Sequence, residues 1–409
     1  METVKDDFDV AIVGAGPAGT SAAIHLASRG ARVALAEQKQ FPRHKLCGEF
    51  ISPECLAHFE RLGAFDSMAR GGGREVLQTE FYTRAGRSVA VQSEWFGDGS
   101  GRAALGLSRA EMDARLLERA RAAGVNVLEQ ATATNLVRED GGRVRGVELQ
   151  LAGGARLVWR AGVTIDATGR ARSLSRRVGR AARRAAGEVV KRAPLVAFKA
   201  HLEGARGAEG VCEIYFYKGG YGGLSPVEGG LSNLCFIVRS SDVRAAGSDA
   251  ERVMREVLMK NRRAAETLRG ARARTEWLGV ALESFGRRDL VPAEGLLSVG
   301  DAASFIDPFT GSGMLMALES GELAAEAIAA WLARVRDGCP PEFAALARDY
   351  GARYAERFDA RLRLCGWLRR AAFAPQAFAE AAILALGASE RLRRRLARAT
   401  RQSAASISA

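Results

Sequence analysis

The stretch FDVAIVGAGPAGTSAAIHLASRGARVALAE (residues 8–37) decides how the rest of the chain is read. Phe8 to Val13 is a short apolar run, suited to a buried parallel strand. Gly14, Gly16 and Gly19 follow as G-x-G-x-x-G, with Pro17 and Ala18 opening a helix. Gly14 permits the tight turn, Gly16 lets the backbone approach a pyrophosphate, and Gly19 lets the helix pack close to the strand. Gly30 ends the helix, and Arg32 to Ala36 read as a second strand. That strand runs into Glu37 and Gln38, where a carboxylate accepts hydrogen bonds from a ribose diol. The full strand–turn–helix–strand–Glu unit predicts a Rossmann-type dinucleotide site, because a glycine-rich helix start alone does not explain Glu37.

The chain has 409 residues, 47% hydrophobic and 26% charged, the composition of an ordinary globular protein with room for two or three domains. No apolar run reaches the ~18 residues of a membrane span. METVKDDFDV is too polar for a secretory signal. Six scattered cysteines with no CxxC pair point to reduced thiols, a cytoplasmic setting and no metal site. Net charge is +13, and ten arginines between Arg361 and Arg401 stand against only Glu380 and Glu390. That tail suits acidic lipid, an acidic carrier or a solvated helical face. It lacks the aromatic-interleaved basic pattern of a nucleic-acid binder.

Further motifs follow in order. GLSRAEMDARLLERA (106–120) starts a helix at Arg109, GVTIDATGRARS (162–173) ends a strand in a small-residue turn with Thr168 and Gly169, and Ala133 lies between them in the chain. GLLSVGDAASFIDPFTGSGMLMALESGELAAEAI (295–328) ends an apolar strand at Gly300 and Asp301. Pro308, Gly311, Ser312, Gly313 and Met314 then open a long helix, whose N-terminus aims backbone N–H groups at a ligand. These four motifs together resemble the FAD-dependent oxidoreductases of the para-hydroxybenzoate-hydroxylase and geranylgeranyl-reductase type, related to the flavin halogenases. The resemblance implies bound FAD, with Asp301 on the ribityl chain, Arg109 and Ala133 at the cofactor, and NADPH or NADH as a transient reductant. One departure is Asp166-Ala167-Thr168-Gly169, where many aromatic hydroxylases carry Asp-Gly.

The expected architecture is α/β, with an inserted antiparallel substrate sheet and a helical C-terminus. The FAD-binding domain is expected over 1–75, 106–180 and 291–335, the substrate domain over 76–105 and 181–290, and the helical region over 336–409. Residues 250–275 read as charged helix. Breaks are expected near Gly366, Pro375 and Gly387, and disorder in RQSAASISA (401–409).

FPRHKLCGEFISPE (41–54) resembles the K-x-C-G…S-P signature of the reductase branch and the F-P-R-x-K-x-G-E-S element of halogenases. The halogenase W-x-W-x-I-P stretch is replaced by GYGGLSPVEGG (220–230), with Tyr221 in its place. Lys45 is a cationic partner for flavin or substrate, Cys47 a proton donor or a small pocket hydrophobe, and Glu49 an orienting acid or base. Gly48 permits close approach to a ring, Tyr221 joins the catalytic candidates, and His44 and His201 are candidate bases.

Two activities stay open, and fold-level analogy puts the first ahead. The first is an NAD(P)H-dependent monooxygenase using O2 on an apolar aromatic or polyketide-type substrate. The second is a reductase of a prenyl chain or quinone C=C bond. Halogenation and a non-catalytic FAD-bearing partner protein rank below both. The substrate is expected to be apolar, carrier-bound or membrane-derived, with peripheral contact to the inner membrane through the basic C-terminus.

Overall fold

In the computed structural model, the described residues are 3–96, 101–139, 142–178, 193–282, 285–338, 342–373 and 376–401. The strand Thr3–Val13 lies between Val33–Ala36 and Arg156–Asp166, parallel to both. Asn126–Leu128 extends one side, and Leu296–Ser298 pairs parallel with Arg156–Asp166. Val144–Leu151 and Ala131–Arg138 complete the seven strands as antiparallel additions. The helix Pro17–Ala27 begins directly after the glycine turn, its proline preset for a first helical turn. It crosses the long helix Gly313–Arg336 at backbone contact: a Cβ on Gly321 would stand 2.3 Å from the Ala18 carbonyl oxygen, and Ser21 Oγ donates to Leu318 O at 2.9 Å. This contact brings the first and last motifs of the fold together.

A second, eight-stranded sheet holds Gln78–Tyr82 and Ser88–Gln92 beside five strands between Leu195 and Ala273, with Leu278–Leu282 also paired to Leu195–Glu203. It is antiparallel except where Val211–Tyr217 runs parallel to Gln78–Tyr82. Alternation along Leu195–Glu203 sends Phe198, Ala200 and Leu202 into a core under short helices. Leu195, Ala197, Lys199 and His201 fall on the opposite face, toward the nucleotide fold.

Three local expectations change. The charged helix of 250–275 is divided into Ala250–Glu256, a 3-10 turn Leu258–Lys260 and Arg262–Thr267, because Asn261 restarts the helix by accepting the Ala264 N–H. The helix Phe343–Ala372 runs straight through Gly366, since packing against Gly313–Arg336 outweighs one glycine's small propensity cost. Arg401 is buried rather than disordered, while Pro375 and residues 402–409 lie outside the described residues.

Candidate active site

A cleft of about 340 Å³ runs from the glycine turn to the second sheet. At its nucleotide end stand Gly14, Gly16, Pro17, Ala18, Glu37, Gln38 and Arg109. Gly14 has φ +106, and a Cβ there would lie 2.3 Å from Ala167 O, so only glycine fits. Above Gly16 the space is open, and a Cβ would meet nothing nearer than Arg109 Nη2 at 3.8 Å. Glu37 Oε2 accepts the Ala15 N–H at 3.0 Å and Oε1 accepts the Lys39 N–H at 3.0 Å. Its carboxylate is thereby fixed, with acceptor capacity left for a diol. Arg109 bonds Asp113 through Nε (2.8 Å) and Nη2 (2.7 Å), which raises its pKa against the opposing effect of burial.

Ala133, Thr168, Gly169, Gly300, Asp301, Pro308, Gly311, Gly313 and Met314 line the middle. Burial raises the Asp301 pKa, while the charges of Arg170, Arg109 and Lys45 pull it down. Gly19 and Ser312 are not in the lining. Gly19 packs on Gly14 and Ala167, and Ser312 Oγ receives Arg401 Nη1 at 3.0 Å. Asp166, the acid displaced from the hydroxylase pattern, is buried away from the cleft. It accepts from Thr168 N and Oγ1 and from Ser175 N and Oγ, fixing the turn that carries Thr168.

The loop holding Lys45, Cys47, Gly48 and Glu49 lies between the two sheets, and all four line the cleft. Asn233 Nδ2 donates to Cys47 O at 3.0 Å, and Glu49 N donates to Cys47 Sγ at 3.4 Å. Glu49 sits at φ +55, fully buried. It accepts from Lys199 Nζ at 2.6 Å, His201 Nε2 at 2.6 Å and Arg109 N at 2.8 Å. Burial alone would raise the Glu49 pKa, but the His201 hydrogen bond and the Lys199 charge outweigh it, and the net shift is downward. Such a carboxylate pins its loop to the second sheet and to the helix start at Arg109, and its oxygens are engaged. Lys45 is exposed to the open cleft yet walled by it. Those walls, then Arg43 and Arg109, lower its pKa. His201 stands behind Glu49, and exposed His44 lies edge-on to it at 5.4 Å, so neither candidate base reaches the lining.

At the far end are Phe81, Ile214, Tyr221, Ile237, Leu282 and Phe309. Tyr221 Oη donates a hydrogen bond to Asp307 Oδ1. Three positions escaped sequence reading. Lys199 was hidden in a strand, Asp307 in the FAD-type turn, and Arg401 in the polar tail. Alternation around His201 was the one available signal for Lys199. Arg401 reaches the cleft from the terminal helix Glu390–Ala399, donating to Gly311 O at 3.1 Å. That helix lays Arg393 over Trp95 and presents Arg391, Arg394, Arg395 and Arg398 outward.

Residues 7–337 match the family model described as FAD binding domain. The chain belongs to this FAD-binding family. It is 30% identical over 355 residues to digeranylgeranylglycerophospholipid reductase 2 of Methanopyrus kandleri, covering 82% of this chain and 83% of that one. It is 28% identical over 341 residues to menaquinone reductase of Mycolicibacterium smegmatis, covering 78% and 75%. The fold also matches a myxobacterial chondrochloren halogenase with TM-score 0.75 and 24% identity, over 86% of this chain and 80% of that one. The chain is thus an FAD-dependent oxidoreductase with an α/β FAD-binding fold, in a family where NAD(P)H is the typical reductant. The open backbone over Gly16, the fixed Glu37 carboxylate and Asp301 in the cleft fit that cofactor. Among the described residues no helix is long and apolar enough to cross a membrane, and no group of acidic, His or Cys side chains is arranged to hold a metal.

Proposed function

We propose that this enzyme reduces a carbon–carbon double bond in an apolar, prenyl-type chain. The observation that carries the reading is the far end of the cleft, where aromatic and aliphatic walls enclose a few weakly acidic hydrogens. Saturating an isolated C=C bond requires apolar cover, alignment, a hydride and a proton. Bound FAD, once reduced, supplies the hydride, and Gly14, Gly16, Glu37, Arg109, Thr168, Asp301 and the Gly311–Met314 turn would hold it. Phe81, Ile237, Leu282 and Phe309 would align the chain and exclude water. Acidic hydrogens come from Tyr221 and the thiols of Cys47, Cys212 and Cys235. Burial pushes Cys212 and Cys235 up to about 12 and raises the Tyr221 phenol as well, so position and partners, not acidity, choose among them. The two curated relatives act, by name, on menaquinone and on a digeranylgeranyl lipid, and these names favour the reductase over the monooxygenase. The monooxygenase reading rests on the shared fold alone and ranks second.

The test is anaerobic incubation of FAD-loaded enzyme with NADPH or NADH and a naphthoquinone bearing a tetraprenyl chain. A product two mass units heavier in the chain after re-oxidation in air is expected. An unchanged chain under nitrogen, with labelled oxygen incorporated under air, would replace the reductase by the monooxygenase.

An apolar chain of this kind reaches a protein from a lipid phase. Exposed Trp367, Phe378 and Leu384 and the outward arginines of the terminal helix suit an anionic bilayer surface. Reversing Arg391, Arg394, Arg395 and Arg398 to Glu is expected to abolish co-sedimentation with anionic vesicles at low salt. Undiminished co-sedimentation would remove the membrane from this reading.

A further inference from the structure

A second cavity, of about 180 Å³, lies beside the cleft, lined by Asp307, Cys365, Arg369 and Arg370 among apolar side chains. Phe305 and Ile306 line both spaces and form the wall between them. One hydrogen bond spans this wall. Tyr221 lines the cleft and not the second cavity, Asp307 lines the second cavity and not the cleft, and the two are joined through Tyr221 Oη and Asp307 Oδ1. Asp307 is 3% exposed. Its Oδ1 also accepts the Phe309 N–H at 2.9 Å, while Oδ2 has no hydrogen-bond partner and lies 4.0 Å from Arg369 Nε.

We propose that Asp307 and Tyr221 form a proton path from the second cavity into the cleft, with Tyr221 the acid that protonates the substrate carbon. This rests on the reductase reading, since a C=C bond takes up one hydride and one proton. The hydride, which carries both electrons, would come from reduced FAD. For turnover the Tyr221–Asp307 hydrogen bond reverses, so that the protonated carboxyl donates from Oδ1 to Tyr221 Oη and the phenolic hydrogen turns to the substrate. That O–H bond breaks as the new C–H bond forms, and Tyr221 Oη takes the Oδ1 proton. Asp307 is left as a carboxylate, a half-turn of the carboxyl group exchanges its oxygens, and water in the second cavity returns the proton. The cavity is large enough to hold several waters.

Two further observations agree. Burial raises the Asp307 pKa, although the Tyr221 and Phe309 hydrogen bonds and Arg369 hold it down, which favours an acid able to donate. Cys365, on the same helix as Arg369, is a further titratable group beside Asp307, and Arg370 lines the same cavity. Burial, then Asp307, raises Tyr221 well above an ordinary phenol, so the tyrosinate recaptures a proton at once. Cys47, by contrast, meets the Glu49 N–H and the Arg109 guanidinium, groups that steady a sulfur and release no proton to it.

The experiment uses dithionite-reduced, FAD-loaded enzyme and the tetraprenyl naphthoquinone, reading chain saturation by mass and FAD content by absorbance. Tyr221→Phe is expected to slow saturation by about 100-fold or more and Asp307→Asn by about tenfold or more, both at wild-type FAD content. The double variant should be no slower than Tyr221→Phe, because the two groups act in series. Asp307→Glu, which restores an acid, should recover part of the loss, and it carries the comparison if Asp307→Asn binds FAD poorly. Either single variant within about threefold of wild type, or losses that multiply in the double variant, would overturn the path. In that event the wild type still saturates the chain and the reductase reading stands. A wild type that leaves the chain unsaturated overturns both.

Discussion

At the nucleotide end of the cleft, Gly14, Gly16 and Glu37 come from one continuous stretch, and most of their contacts are to backbone. At the substrate end, Glu49 meets Lys199 and His201 across 150 and 152 residues of chain, through side chains rather than backbone. The first end is a local shape that one short sequence dictates. The second is assembled when two sheets close on a loop that belongs fully to neither. The nucleotide end is therefore expected to fail by losing its ligand, and the substrate end by losing its alignment.

The sharpest way to break this contrast is Gly14→Ala. The positive φ alone costs about 1–3 kcal/mol, and the new Cβ would overlap the Ala167 carbonyl. The purified variant should be colourless or nearly so. A yellow, FAD-replete Gly14→Ala enzyme would show that the turn tolerates a side chain.

Lys199→Met is next in size. Leaving Glu49 buried with one cation fewer is expected to cost about 3–5 kcal/mol of stability, with FAD still bound by the folded fraction. Thermal melts of the FAD-loaded enzyme measure it, and an unshifted melt would demote the pin. The same pin has a pH signature. The Glu49 pKa is lowered in the folded state, so its stabilising contribution is complete above the ordinary value of 4.5 and is lost as pH falls through the lower folded one. Acid melts of the wild type should therefore show a loss of stability that begins below about pH 4.5 and is smaller in Lys199→Met.

Cys47→Ala should do least. If the thiol only shapes the wall, saturation of the tetraprenyl chain falls less than about tenfold, well short of Tyr221→Phe. A loss as large as that of Tyr221→Phe would return the acid role to Cys47.

The loop around Cys47 shows how much of the site was legible. Its place near the glycine-turn cleft was expected from the family resemblance, and Lys45, Cys47, Gly48 and Glu49 line that cleft. The role of Glu49 did not follow, because a carboxylate's state depends on Lys199 and His201, which no local pattern connects to it. His201 was visible as a titratable residue, but only the fold shows its Nε2 already engaged. Arg401 read as part of a solvated tail, and it lines the cleft because the terminal helix folds back over Phe96 and Gly311.

By itself the sequence determined the FAD frame. Glycines that alone fit their backbone, an apolar strand and a terminal Glu act over a few residues, where local stereochemistry decides. Tertiary structure alone decided which groups can exchange protons. The Glu49–Lys199–His201 pin and the Tyr221–Asp307 bond each join segments distant in the chain, and burial sets their charge states. Position in the cleft, not residue type, separates Tyr221 from the other candidate acids.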